Sequence, residues 1–91
     1  DFSSYLYLAK IFEKEENMTE LEKNLNTTLL LDPKNEEALY MLIELQLSLS
    51  NFSKVKDLNE TFLLVCLKLC DKKISITDKI YNLQTNGEKI N

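Results

Sequence analysis

The chain has no histidine and no arginine, and only one glycine, one proline and two cysteines in 91 residues. Without histidine, the commonest general base and the commonest side-chain ligand for transition metals are missing. Without arginine, the bidentate phosphate donor is missing, and eleven lysines stand against fifteen acids for a net charge of −4. Phosphate recognition relies on basic clusters, so nucleic acid is not an expected ligand. No apolar run approaches the roughly 20 residues of a membrane span, and no cleavable signal pattern is visible, so no membrane association is expected and the cytoplasm is the expected location. Cys66 and Cys70 stand one helical turn apart and lack the further ligands that a structural zinc needs. They read as two buried thiols, because Cβ separation and direction within one helical turn disfavour a disulfide. No cofactor, metal or catalytic centre is expected.

What is present points to a folded, all-α chain. Hydrophobic residues make up 44% of it, which favours a globular over a disordered state. A chain of this length buries roughly 60 to 65% of its unfolded surface, enough for one core, and residues 1–91 read as a single domain. The chain does not begin with Met, and it is expected to be a piece of a larger protein. Charge is uneven: residues 1–46 carry ten acids and four lysines, and residues 47–91 carry five acids and seven lysines. Lysine without arginine, with abundant Asn and Ile, is the mark of A+T-rich codons and describes a genome, not a function. Glycosylation-type triplets at Asn17, Asn26, Asn51 and Asn59 arise freely in such a chain.

Hydrophobic periodicity sets out the helices. The first is expected over about Ser4 to Lys14, with a stripe of Tyr5, Leu8, Ile11 and Phe12 and with Leu6 and Ala9 beside it. A capping box of Thr19 with Glu22 starts the second near Glu20, and Leu21, Leu25, Thr28 and Leu29 form its buried face. Pro33 stops helical propagation and suits the start of the next helix. That third helix spans about Glu36 to Leu49, although residues 43–50 alternate apolar and polar as a strand would. Helix-favouring Glu, Leu, Gln and Ala decide for helix. Asn51 and Ser53 form the next turn and cap. The fourth helix, about Lys54 to Cys70, buries Val55, Leu58, Phe62, Val65, Cys66 and Leu69. It should overrun, because no proline stops it. A last short helix over 75–86 carries Ile76, Ile80 and Leu83 and covers the end of the stack.

Shifted so that Tyr5 lies on Leu39, the chain overlays itself: Leu8 and Ala9 fall on Leu42 and Ile43, Asn17-Met18-Thr19 on Asn51-Phe52-Ser53, and Leu29-Leu30-Leu31 on Leu63-Leu64-Val65. A fixed period of about 34 residues marks one helical hairpin copied and stacked. The first copy carries Tyr5, Leu8, Ala9, Phe12, Leu21, Leu25, Thr28 and Pro33. The second carries Leu39, Leu42 and Phe62, and departs at Ile43, Gln46 and Asn59. In this pattern the chain resembles the tetratricopeptide repeat family over residues 2 to about 70. The resemblance implies an α-α superhelix of two antiparallel hairpins, 2–35 and 36–70, with a capping helix at 75–86.

The resemblance also implies a binding surface. In that family the first helix of each hairpin lines a concave groove, which here gives Ser3, Leu6, Tyr7, Lys10, Glu13 and Lys14, then Glu37, Tyr40, Met41, Glu44, Leu47 and Ser48. Mixed apolar and acidic, this surface suits an amphipathic helix or an extended apolar peptide. Alternatively Leu6, Tyr7, Met41 and Leu47 pack against a neighbouring repeat. Some relatives clamp acidic chaperone tails, yet Leu6, Glu37 and Met41 stand where the clamp needs polar or basic groups. The acids Glu13, Glu15, Glu16, Glu20 and Glu22 read as a solvated surface, and the aromatic residues lack the basic neighbours of a base-stacking platform. A non-enzymatic adaptor or co-chaperone-like module binding another protein is therefore expected. Two alternatives stand beside it: a segment of a longer scaffold in a multiprotein complex, and a targeting domain such as accompanies prolyl isomerases and phosphatases.

Overall fold

The structure, a computed structural model, describes residues 2–72 and 78–82. It is all-α: α1 spans Phe2–Lys14, α2 Met18–Leu31, α3 Glu36–Ser48 and α4 Phe52–Val65, residues 78–82 are also helical, and no strand occurs among the described residues. Helices α1 and α2, α2 and α3, and α3 and α4 pack as neighbours. Turns this short leave consecutive packed helices no choice but to run antiparallel.

Helix boundaries repeat with the sequence period. The offset that lays Tyr5 on Leu39 also lays the start of α1 on that of α3 and the end of α1 on that of α3, and it does the same for α2 and α4. The turn chemistry repeats as well. Glu16 (φ 57°) and Ser50 (φ 60°) take the left-handed conformation. Beside them the N–H of Asn17 bonds to Phe12 O and that of Glu16 to Glu13 O, while the N–H of Asn51 bonds to Gln46 O and that of Ser50 to Leu47 O. Both are Schellman closures, which satisfy the last carbonyls of a helix and aim the chain into the next one.

Two joined apolar clusters hold the helices. Leu6, Ala9, Leu21, Leu25, Ala38, Leu42 and Leu45 bind α1, α2 and α3. Leu39, Ile43, Leu47, Val55, Phe62 and Ile80 bind α3, α4 and residue 80, with Leu58, Val65, Cys66 and Leu69 partly buried against them. The buried side chains of Asn24, Thr28 and Gln46 are paired. Thr28 Oγ1 donates to Asn24 O (2.8 Å) and Asn24 Nδ2 to Glu20 O (2.8 Å), inside α2 itself. Gln46, 2% exposed, spans three elements: its Nε2 donates to Glu22 on α2 (2.6 Å) and its Oε1 accepts from Asn51 Nδ2 (2.7 Å) at the start of α4. A buried amide held at both ends fixes the register between helices that apolar contacts alone would leave loose.

Several local expectations are corrected. Helix α1 buries Leu6 and Ala9, while Tyr5 and Leu8 are 38% and 40% exposed, so its inner face is turned from the expected stripe. The Thr19–Glu22 capping box does not form. Asn17 is the N-cap, accepting from Glu20 N–H (3.3 Å), and Thr19 lies within α2. Pro33 lies in the turn, and Asn35 caps α3 by accepting from Ala38 N–H (2.9 Å). Ser53 lies inside α4, and Asn51 stands at its N-cap without a side-chain capping bond, its Nδ2 donating to Gln46 Oε1. Helix α4 does not overrun: it ends at Val65, with Cys66 extended at φ −63° and ψ 144°. Cys66 and Cys70 are joined in a disulfide across a Cα–Cα distance of 5.2 Å. The obstacle to a bridge is helical geometry, and residues 66–70 are not helical. Of the expected last helix, Ile80 is buried, whereas Ile76 and Leu83 lie outside the described residues.

The repeat register supplies two stability tests. Leu42→Ala empties a position that is 5% exposed and should cost about 2 to 5 kcal/mol in denaturant unfolding. Asn59 occupies the place of Leu25 in the first hairpin, but its buried Oδ1 has no partner. Asn59→Leu should therefore raise stability by about 1 kcal/mol, seen as a gain of roughly 4 to 8 °C in Tm.

Candidate functional site

A cleft of about 580 Å³ opens between α1, α3 and the segment after α4. Tyr7, Lys10, Ile11, Glu13 and Lys14 line one side, Glu37, Tyr40 and Met41 the floor, and Leu69 and Lys72 the far wall. Tyr7 is 67% exposed, whereas Tyr40 and Met41 are half-buried. The cleft therefore offers a projecting ring on one side and a packed aromatic-thioether floor beneath it. Its volume falls in the range of pockets that take a small ligand or a few side chains of a peptide.

Charged groups brace the cleft across its walls. Lys10 Nζ meets Glu37 at 2.8 Å and ties α1 to α3. Both side chains are almost half exposed, so the pair contributes at most about 1 kcal/mol. Lys72 Nζ lies 5.9 Å from the centre of the Tyr40 ring, a cation-π contact from wall to floor. The Tyr40 ring in turn packs on Phe62 of the core, centroids 6.3 Å apart and planes tilted by 41°. Burial and the neighbouring Glu44 carboxylate raise the Tyr40 hydroxyl above its ordinary pKa. Glu44 takes both its oxygens to Lys79 Nζ (2.8 and 3.1 Å), a hydrogen bond that raises the Lys79 pKa.

The far wall is held by one carboxylate. The Cys66 N–H is the last to bond back into α4, to Phe62 O (2.9 Å), and Glu36, the first residue of α3, accepts the next three. The Leu67 N–H bonds to Oε2 (2.5 Å), and those of Lys68 and Leu69 to Oε1 (2.8 and 2.5 Å). The disulfide closes the same loop. Partial desolvation works against ionisation of Glu36, but the three backbone bonds and the Lys68 charge outweigh it, and the pKa falls below its usual 4.5.

Of the residues assigned to the groove from the sequence, Tyr7, Lys10, Glu13, Lys14, Glu37, Tyr40 and Met41 line this cleft. Glu44 lies beyond it, paired with Lys79. Leu6 and Leu47, each 9% exposed, are packed in the first and second apolar clusters instead of facing solvent. Sequence reasoning misses Ile11, Leu69, Lys72 and the holding role of Glu36. The local pattern puts Leu69 and Lys72 on or beside a continuing α4, and Glu36 takes donors 31 to 33 residues away, for which no local signal exists. Among the described residues no cluster of three His, Cys, Asp or Glu is placed to hold a metal ion, and no helix is long and apolar enough to cross a membrane. No family model, curated protein or solved structure gives a significant match to the chain.

Glu36 sets a pH dependence. Its folded pKa lies below the unfolded one, so in the window beneath about 4.5 the unfolded chain binds more protons. Stability should fall as pH drops through that window, and Glu36→Gln should flatten that part of the profile. In the variant, amide exchange of Leu67, Lys68 and Leu69 should also accelerate at neutral pH. Unchanged exchange would show that the carboxylate does not hold the loop.

Proposed function

We propose that the chain is a tetratricopeptide-like, non-enzymatic binding module that takes a short apolar-anchored segment of another protein, helical or extended, into the cleft between α1 and α3. The observation that carries this is the cleft itself: an apolar floor of Tyr40 and Met41, a projecting Tyr7 and a rim of both charge signs, on helices whose boundaries repeat from one hairpin to the next. Rigid aromatic and thioether groups on helices suit the anchoring of one or two apolar side chains. The rim does not suit an acidic chaperone tail, because Lys10 is paired with Glu37 and Leu6 is buried. A cytoplasmic setting belongs to this proposal, and it requires the Cys66–Cys70 bridge to be reversible there. Panning a displayed library of short peptides on the immobilised chain, followed by fluorescence-polarisation titration, tests it. Tyr7→Ala, which removes an exposed ring, should weaken the selected peptide about tenfold without changing Tm. Failure to enrich any peptide, or equal binding by the variant, would remove the cleft from consideration.

A second reading, a segment of a longer helical scaffold, is favoured by one comparison within the chain. On α3, Ala38, Leu42 and Leu45 are buried against α2. Their counterparts one repeat earlier, on α1, are Ser4, exposed, Leu8, 40% exposed, and Ile11, half-buried. Among the described residues, no α2-like helix covers the face of α1 that corresponds to the α2-binding face of α3. A synthetic peptide with the sequence of α2, Met18–Leu31, added to the isotopically labelled chain should shift the resonances of Ser4 and Leu8. If those resonances stay in place at millimolar peptide, the scaffold reading loses its support.

A further inference from the structure

Residues 66–72 have a sequence that fits a helix and a structure that is mostly a loop. Cys66-Leu67-Lys68-Leu69-Cys70 follows α4 with no proline or glycine to stop it, and Leu, Lys and an apolar i, i+3, i+4 spacing favour continuation. The helix nevertheless ends at Val65. Two constraints hold the loop: the Cys66–Cys70 bridge, and the Glu36 carboxylate that collects the N–H groups of Leu67, Lys68 and Leu69. In a continued α4 those same three N–H groups would bond to the carbonyls of Leu63, Leu64 and Val65. Loop and helix therefore satisfy the same three donors with different acceptors, so neither state leaves them unpaired. The bridge decides between them, since within a helical turn the two Cβ atoms project outward side by side about 5 to 6 Å apart, further than a disulfide spans.

We infer that the Cys66–Cys70 disulfide is a reversible clasp that gates the cleft. This rests on the cleft being the binding site proposed above and names its regulation. In the oxidised chain the loop places Leu69 and Lys72 on the far wall, with Lys72 over Tyr40. Both cysteines are half-buried, not sealed, so a thiolate can reach the bridge. A small dithiol or a dithiol protein reductant attacks one sulfur to give a mixed disulfide, and its second thiol then displaces the chain. The reductant leaves as a disulfide, having given up two electrons and two protons, and Cys66 and Cys70 become thiols. Released from the bridge, residues 66–70 extend α4 by about one turn and carry Leu69 and Lys72 off the wall. The short loop suits a local switch: a bridge closing so few residues restrains the unfolded chain least, so opening it remodels the wall and leaves the core in place.

The test compares three proteins: the oxidised chain, the chain reduced with dithiothreitol, and the Cys66→Ser/Cys70→Ser double variant. Carbon chemical shifts of residues 66–70 report helix, and polarisation titration with the fluorescein-labelled peptide selected against the oxidised chain reports the cleft. The expected result is helical shifts over about one turn and roughly tenfold weaker peptide binding in the reduced and double-variant proteins. Glu36→Gln in the oxidised state should keep 66–70 non-helical, because the bridge still excludes the helix. Non-helical shifts with unchanged affinity after reduction would overturn the clasp. No peptide enriched on the oxidised chain, with the helix still appearing on reduction, would sustain the switch and refute the cleft as a peptide site.

Discussion

One carboxylate holds the wall of the cleft in place. Glu36 begins α3, where acids are favoured near the free N–H groups of the first turn, but its side chain reaches out to three backbone N–H groups of the loop that follows α4. The start of the second hairpin is thereby tied to its end. The tie turns what would have been an open ledge on α1 and α3 into a cleft with two walls, and the disulfide holds the loop in the shape that the carboxylate needs. Backbone donors presented in series to one anion make a strong, charge-assisted contact.

Behind that face the structure is a repeated solution to one packing problem. Each hairpin closes with a left-handed residue, Glu16 or Ser50, followed by an Asn that opens the next helix. The second copy differs where it must join a third element. Gln46 takes the place that Phe12 holds in the first copy, and there it exchanges apolar contact for two hydrogen bonds that fix α2, α3 and the start of α4 together. Asn51 gives its Nδ2 to that network, and its side chain makes no capping bond to α4.

Much of this is legible in the sequence, because the signals are local. Apolar spacing and the repeat overlay place α1, α2 and α3 within a few residues, and they identify α3 as a helix despite the alternation of residues 43–50. Seven residues assigned to the first helices of the hairpins do meet in one cleft. What is not legible depends on distant partners. The end of α4 is set by Glu36 and by Cys70, neither of which alters the local pattern that favours continuation. Leu6 and Leu47 are misplaced for a different reason: the apolar stripe on each helix is broad, and which edge turns inward is decided by the helices packed against it. The rotation of α1 that buries Ala9 and exposes Leu8 is the same effect.

The measurement that tests the central claim most directly is a map of amide and methyl chemical-shift changes on titrating the oxidised, isotopically labelled chain with a peptide selected against it. The largest changes are expected on Tyr7, Lys10, Met41, Leu69 and Lys72, around the cleft. Changes concentrated instead on Leu30, Leu64 and Leu67, the most exposed leucines among the described residues at 81%, 86% and 88%, would contradict this and move the binding surface to the ends of α2 and α4.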